Sequence, residues 1–354
     1  MMANQVVICK ELKSELETFL SGCSYDKLFV LTDANTQEKC FPLIQDVPQL
    51  KGAPVITIPA GDTHKDIEQL SVIWTALSTQ GASRHSLLLN LGGGMITDIG
   101  GFAGATFKRG IRTVNIPTTL MASVDAAVGG KTGINFNGLK NEIGAFYPPL
   151  CVFIDCEFLR TLDRGNLLSG YAEMIKHGLI SSREIYRHVL SFDLDQTPDY
   201  AALNQLVAES VAVKERIVEE DPKEQGIRKA LNLGHTIGHA FESLSFTRQR
   251  PLLHGHAVAA GLVAELYLSY KETGFPMHTL TQAVSFIKEY YPVFQFGCND
   301  YDALYELMTH DKKNENGIIN FTLLSDIGEV RINQSVSKER VLESLDFYRD
   351  RFGI

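Results

Sequence analysis

Residues 87–98 read LLLNLGGGMITD. LLLNL is an apolar run of strand length, and a helical pattern that includes Asp98 follows it directly. Gly92, Gly93 and Gly94 between them allow a tight turn and close approach to the backbone, with N–H groups aimed outward where a helix begins and an anion is favoured. Any tight strand-to-helix turn uses glycine, and the run departs from the G-x-G-x-x-G fingerprint, so alone it names no ligand. Its surroundings repeat the same unit. Residues 28–32 (LFVLT), 55–58 (VITI), 113–116 and 152–154 are short, rich in Val, Ile and Leu, and bounded by Gly, Pro, Asp or Asn. Amphipathic stretches such as 67–79 lie between them, long enough to be crossover helices. Strand–helix alternation of this kind predicts an α/β domain with a mostly parallel sheet covered on both faces.

From about residue 159 the pattern changes. Helical periodicity dominates 167–180, 200–219, 229–244, 256–273, 280–290 and 341–352, and one late strand over 318–324 pairs with 330–332 as a hairpin. The chain therefore divides into an α/β domain over 1–158 and a helical domain over 159–354, at a change of pattern with no visible linker. Its 354 residues are enough for a sizeable core, and 33 Lys plus Arg against 42 Asp plus Glu leave a net charge of −9. That balance argues against broad nucleic-acid or anionic-membrane partners, while a local basic pocket remains open to a small anion. No run of about 18 apolar residues appears. The N-terminus MMANQVVICKELK has neither an apolar signal core nor a small-residue cleavage site. The six cysteines include no C-x-x-C pair, and reduced, mostly buried thiols of a cytoplasmic protein are expected.

Three clusters carry chemistry. Residues 117–144 (PTTLMASVDAAVGGKTGINFNGLKNEIG) hold Thr118, Thr119, Asp125, Gly129, Gly130, Lys131, Lys140 and Asn141. The composition predicts a long functional loop whose lysines serve a phosphate or carboxylate, against the plain alternative of solvated surface lysines. Residues 229–243 (KALNLGHTIGHAFES) put His235 and His239 one turn apart on a helix face, the arrangement that can share a divalent metal. LLHGHAV adds His254 and His256, and GYAEMIKHG adds Glu173, Lys176 and His177. A lone helical histidine is usually structural, but four of ten gathered in one short stretch favour metal, and spacing alone does not choose the ligands. Lys214 and Arg228 flank an acidic stretch containing Glu224, and Asp311, Lys312 and Lys313 precede the hairpin. Surface ion pairing accounts for such charges as readily as an anion pocket does.

Taken together, GGGMITDIGGFAGATFKRG, PTTLMASVDAAVGGKTG, LKNEIGAF, SGYAEMIKHG, RKALNLGHTIGHAFE and HGHAV resemble the 3-dehydroquinate synthases, in matching order from about residue 32 to 313. The resemblance implies a Rossmann-like NAD-binding domain, a helical metal- and substrate-binding domain, and a cytoplasmic homodimer of the shikimate pathway. It implies metal ligands at Glu173, His235 and His254, with zinc or cobalt as the metal, and so displaces His239, which spacing favoured. NAD contacts are implied at Asp33, Asn35, Asp62, Lys65, Gly93, Gly94, Met95, Asp98, Thr118, Thr119, Lys140, Phe158 and Thr161. Substrate contacts are implied at Asp125, Lys131, Asn141, Lys176, Lys214, Arg228, Asn232 and one of Lys312 or Lys313, with Arg109 completing a phosphate pocket from this or a partner subunit. Glu224 and His239 match positions with acid–base roles, and Lys176 is counted with them as catalytic.

The implied substrate is 3-deoxy-D-arabino-heptulosonate 7-phosphate. Its C5 hydroxyl is oxidised transiently by bound NAD, phosphate is eliminated, the hydride returns, and an intramolecular aldol step closes the ring, with no net redox change. Four departures from the family pattern stand out. GDTHK has Asp62 where glutamate is usual, VDAAVGGKT has Ala126 and Ala127 in place of two hydroxyls, HGH has His256 in place of a carboxylate, and TLDRGN replaces TLPxRE. Cyclases that make inosose or valiolone products would alter the carboxylate-holding residues, which Arg228 and Asn232 argue against. A polyol dehydrogenase would have no phosphate for Lys131 and Lys214, and a non-catalytic relative would have lost a metal ligand or the lysines.

Overall fold

The protein was analysed as a computed structural model, which describes residues 5–195, 198–309 and 319–354. Two compact units emerge: residues up to Asp163 with Asp199–Val211, and Arg164–Pro198 with Ala212–Ile354.

Alternate residues along the strands of the first unit enter two different apolar clusters. In β2 (Leu28–Asp33), Leu28 and Val30 join one cluster while Phe29 and Leu31 join the other, and in β4 (Leu87–Gly92) Leu87 and Leu89 oppose Leu88 in the same way. A strand buried on both faces reads as a continuous apolar run, which is why these strands were legible. With β1 (Gln5–Ile8), β3 (Val55–Ile58), β5 (Arg112–Pro117) and β8 (Cys151–Ile154) they form one parallel sheet in the order β1-β8-β5-β4-β2-β3. The chain steps outward from β2 to β3 and then returns to the other side of β2 as β4. That reversal opens a crevice at the carboxyl ends of β2 and β4, the usual ligand position in an open α/β sheet.

The stretch expected to be a long loop is mostly a hairpin, β6 (Lys131–Phe136) with β7 (Leu139–Phe146). Asn137 and Gly138 both have positive φ (49° and 79°) and form the two-residue turn, with Phe136 paired to Leu139 across it. Glycines that suggested a loop are instead demanded by packing: Gly133 pairs with Gly144, where a Cβ would lie 2.2 Å from the Thr132 carbonyl oxygen.

The second unit is built from helices Arg164–Ser181, Arg183–Ser191, His235–Thr247, His254–Thr273, Met277–Tyr290, Tyr301–Thr309 and Lys338–Phe352, with the antiparallel hairpin β9 (Phe321–Asp326) and β10 (Glu329–Gln334). The helical pattern over 229–244 is not one helix. Residues Ile227–Asn232 form a 3-10 helix, Gly234 turns at φ +78°, and a new helix starts at His235.

The C-terminal helix Lys338–Phe352 is tied to His254–Thr273 by charges around Glu343. The Tyr267 hydroxyl, Lys271 and Arg340 hold this carboxyl down to about 2, and Lys271 Nζ lies 3.2 Å away. A depressed folded-state pKa gives stability that is complete above the ordinary carboxylate range and is lost as pH falls toward 2. Glu343→Gln is therefore expected to flatten the acid limb of the melting temperature between about pH 4.5 and 2, with little change at pH 7 beyond the exposed pairs themselves. Thermal melts across that range read the difference.

Candidate active site

Three sequence features converge at the carboxyl end of the first unit's sheet. Gly93 is the N-cap of helix Gly94–Thr106, so the first amides of that helix point outward from the end of β4. A Cβ on Gly93 would sit 3.0 Å from Thr119 Cγ2, and one on Gly94 3.1 Å from the Ala126 Cβ, so the turn tolerates no side chain without displacement. Thr118 N donates to Gly92 O at 3.0 Å, joining the ends of β4 and β5. Asp33, at the end of β2, spends one carboxylate oxygen capping the next helix, accepting from Thr36 N at 2.9 Å. Asn35 lies in the first turn of that helix.

A charged group lies on the same unit. Lys65, only 4% exposed, reaches Asp98 at 3.0 Å and Asp62 at 3.3 Å, and Lys140 of β7 reaches Asp62 at 3.4 Å. Burial opposes the charge on Lys65, but the two carboxylates outweigh it and raise its pKa. For Asp98 burial wins: its carboxyl is pushed up despite Lys65. Burial also acts against Asp62, yet Lys65 and Lys140 hold that carboxyl below the usual range. Asn135, which sequence reading passed over, fastens the hairpin to this turn through Nδ2 to Asp62 O at 2.9 Å and accepts from Asn141 N at 3.0 Å. Lys131 and Asn141 are exposed, Met95 and Asp125 partly buried. Phe158 is 1% exposed inside the apolar core, and the Thr161 hydroxyl donates to its carbonyl at 2.8 Å. Lys108 and Arg109 both adopt positive φ (48° and 67°), a strained pair for non-glycine residues that leaves Arg109 exposed.

In the second unit Glu173, His235, His239 and His254 converge from three helices. Ligand nitrogens of His235, His239 and His254 lie within 4.8 Å of one another. Glu173 is fully buried, and its Oε1 faces His235 Nε2 at 3.5 Å and His254 Nε2 at 3.8 Å. Among the described residues that Oε1 has no hydrogen-bond partner, a costly state for a buried carboxylate oxygen, while Oε2 receives Lys176 Nζ. His235 Nδ1 lies 3.0 Å from Leu233 O and His254 Nδ1 lies 3.1 Å from Glu242 Oε2. Both partners are acceptors, so in the neutral imidazoles the proton sits on Nδ1 and the Nε2 lone pairs turn toward Glu173. An orphaned anionic oxygen facing two imidazole lone pairs is the donor set of a divalent transition metal such as zinc. His256 does not join them. Two residues along a helix it points elsewhere, and its Nε2 meets Gly165 O at 3.1 Å.

Near this cluster in sequence, Arg228 is 1% exposed and gives Nη1 to Pro222 O at 2.8 Å, and Asn232 Nδ2 donates to Glu224 Oε1 at 3.2 Å. Lys214, Lys176 and His177 are buried. Asp221 accepts three backbone amides, from Gln225, Gly226 and Arg228, which fixes the turn carrying Glu224. Lys312 and Lys313 lie outside the described residues.

A family described as 3-dehydroquinate synthase N-terminal matches residues 55–169, and 3-dehydroquinate synthase C-terminal matches 170–314. The chain is 74% identical over all 354 residues, and the full length of both chains, to a 3-dehydroquinate synthase of Parabacteroides distasonis. The chain belongs to the 3-dehydroquinate synthase family. An Oceanobacillus iheyensis 3-dehydroquinate synthase is 36% identical over 98% of this chain and 95% of its own. Among solved structures, a Streptomyces hygroscopicus 2-epi-5-epi-valiolone synthase with NAD+ and Zn2+ bound superposes with a TM-score of 0.87 at 23% identity, over 99% of this chain and 98% of that one. A 2-deoxy-scyllo-inosose synthase complexed with carbaglucose-6-phosphate, NAD+ and Co2+ gives 0.81 at 21% identity, over 96% and 95%. At those identities the two structures establish the fold.

Three of the departures from the synthase family pattern now have places. Ala126 lies against the Gly94 turn, where the missing hydroxyl leaves only methyl contact. Asp62 keeps both lysine partners despite its shorter side chain. His256 faces Gly165 and the Tyr291 ring (5.7 Å between centroids), away from the three imidazoles. Glu242 and Glu265 were overlooked in the sequence. Glu242 was signalled by lying seven residues after His235, on the same helix face, but Glu265 had no local signal.

Proposed function

We propose that the chain converts 3-deoxy-D-arabino-heptulosonate 7-phosphate to 3-dehydroquinate and phosphate. The observation that carries this reading, beyond family membership, is the buried Glu173 Oε1, which has no hydrogen-bond partner among the described residues and faces His235 and His254. Glu173, His235 and His254 would hold a divalent metal, zinc or cobalt. Asp33, Asn35, Asp62, Lys65, Gly93, Gly94, Met95, Asp98, Thr118, Thr119, Lys140, Phe158 and Thr161 would hold NAD, as the family resemblance implies. Bound there, the metal supplies Lewis acidity toward substrate oxygens and NAD a hydride acceptor that is restored within the cycle.

The chain's own residues orient the substrate and move protons. His239, with ring centroids 5.3 and 5.6 Å from His235 and His254, would exchange a proton beside the ligand set. Glu224 is a second acid–base group, oriented by Asn232. Lys176, Lys214 and Arg228 are buried cations suited to anionic substrate groups, and the family resemblance implies further substrate contacts at Asp125, Lys131, Asn141, Arg109 and one of Lys312 or Lys313. The division into an NAD-binding part over 1–158 and a metal- and substrate-binding part over 159–354 follows from the same assignment. The six cysteines are free, and burial pushes Cys151 and Cys156 up to about 12, which suits a reducing cytoplasm. None of the described helices is long and apolar enough to cross a membrane.

A homodimer is part of this reading. Phe136, Leu139, Ile143 and Phe146 expose apolar surface on one hairpin, with Leu139 and Phe146 each 54% exposed, a surface suited to a second copy of the chain. The test is phosphate release by zinc-loaded protein with NAD and the heptulosonate phosphate, with and without chelator, on protein whose mass is measured by sedimentation. Chelator-sensitive release without accumulation of NADH, from a species of twice the chain mass, is expected. No release by protein that has bound both NAD and metal would overturn the assignment.

A further inference from the structure

The helices His235–Thr247 and His254–Thr273 each carry a buried carboxylate directed at the other's first turn. Glu242, on the first of them, accepts from His254 Nδ1 at 3.1 Å. Glu265, on the second and fully buried, accepts Gly234 N at 2.6 Å through Oε2 and Ile237 N at 2.9 Å through Oε1. These amides belong to the opening of helix His235–Thr247, whose first N–H groups have no partner within the helix.

The Gly234 N–H and the Leu233 C=O are two ends of one peptide group. Glu265 holds the N–H end, and His235 Nδ1 donates to the C=O end at 3.0 Å. A carboxylate pulling on the N–H polarises the amide and makes its carbonyl a better acceptor. His254 thus rests on a carboxylate directly, and His235 rests on one through a single planar relay. Gly234 holds φ +78°, so the relay sits in a backbone conformation that few other residues adopt. A loosened turn would let the imidazole swing.

We propose that Glu242 and Glu265 are positioning residues, which fix the tautomer and direction of His254 and His235 and so set the strength and geometry of metal binding. The inference rests on Glu173, His235 and His254 being the ligands. Outer partners of metal-bound histidines raise ligand basicity, and their loss weakens binding by roughly 10–100-fold. Neither carboxylate needs to touch substrate.

The test compares wild type with Glu242→Gln and Glu265→Gln, measuring Zn2+ affinity by competition with a chromophoric chelator and the visible spectrum after Co2+ loading. Each variant is expected to bind Zn2+ about 10–100-fold more weakly, with a shifted Co2+ spectrum, and Glu242→Asp to recover part of the loss. A merely structural role would lower the melting temperature of metal-free protein and leave the affinity of the folded form alone. Zn2+ affinities within twofold of wild type would overturn the proposal. Should Glu265→Gln not fold, 15N spectra of imidazole-labelled, zinc-loaded wild type decide the matter: both ligand histidines must carry the proton on Nδ1, and an Nε2–H tautomer at either one would overturn it. If wild type itself binds no zinc, the ligand assignment fails first, and that result is distinct from wild type and variants binding alike.

Discussion

Glu173→Gln is expected to abolish tight metal binding and to lower the rate of phosphate release by about 10³-fold, the scale of removing one preorganised electrostatic group from a closed site. The substitution keeps the side chain's shape, so packing stays nearly constant and charge is what changes. Glu173 faces His235 Nε2 and His254 Nε2 through Oε1 and Lys176 through Oε2. A neutral amide is a poor third ligand, and its NH2 group placed toward the histidines would oppose any cation. The same change strips Lys176, 1% exposed, of its carboxylate. Breaking a buried pair costs about 3–5 kcal/mol, so metal-free Glu173→Gln should also melt earlier than metal-free wild type. Metal content after dialysis, phosphate release and melting of the metal-free forms separate the two effects. A variant that keeps one metal per chain and more than a tenth of the wild-type rate would show that Glu173 is not a ligand.

That site was only partly legible beforehand, for a geometric reason. Helical spacing reports residues on one helix face, and it drew attention to His235 and His239. The proposed ligands come from three helices, Arg164–Ser181, His235–Thr247 and His254–Thr273, whose mutual packing no local pattern encodes. The resemblance selected Glu173 and His254 from the candidates the motifs offered, and the structure gathers His239 with them, so both readings touched the same cluster. His256 shows the converse: it reads as part of a histidine-rich motif, but helix geometry sends it to Gly165. The fold was legible where burial is two-sided, as in β2, β4 and β5. β1 escaped notice because it is only four residues long and incompletely buried, with its pairing to β8 made across most of the domain's sequence. The hairpin of β6 and β7 escaped because its glycines answer close backbone packing and not flexibility, although Asn137-Gly138 was a hairpin signal in plain sight.

The second large effect is expected at Gly261, which no chemical argument would select. It lies in helix His254–Thr273, and a Cβ there would fall 2.1 Å from Gly234 O, 2.6 Å from Gly238 N and 2.9 Å from Gly238 Cα. On propensity alone Gly261→Ala should gain about 1 kcal/mol inside a helix. Against this stands overpacking of about 1–3 kcal/mol or more, and the upper end applies because all three opposing atoms are backbone and cannot rotate away. The clash wins, with a net loss of about 2 kcal/mol that lowers the melting temperature by roughly 3 °C. The displaced atoms belong to Gly234 and Gly238, on either side of His235, so the strain enters the ligand-bearing turn directly. Zn2+ affinity should therefore fall together with stability, whereas Gly22→Ala, whose Cβ would meet nothing within 4 Å, should lower neither. Retention of both properties in Gly261→Ala would mean that the two helices can separate without disturbing His235, and that their close crossing is not what sets the metal site.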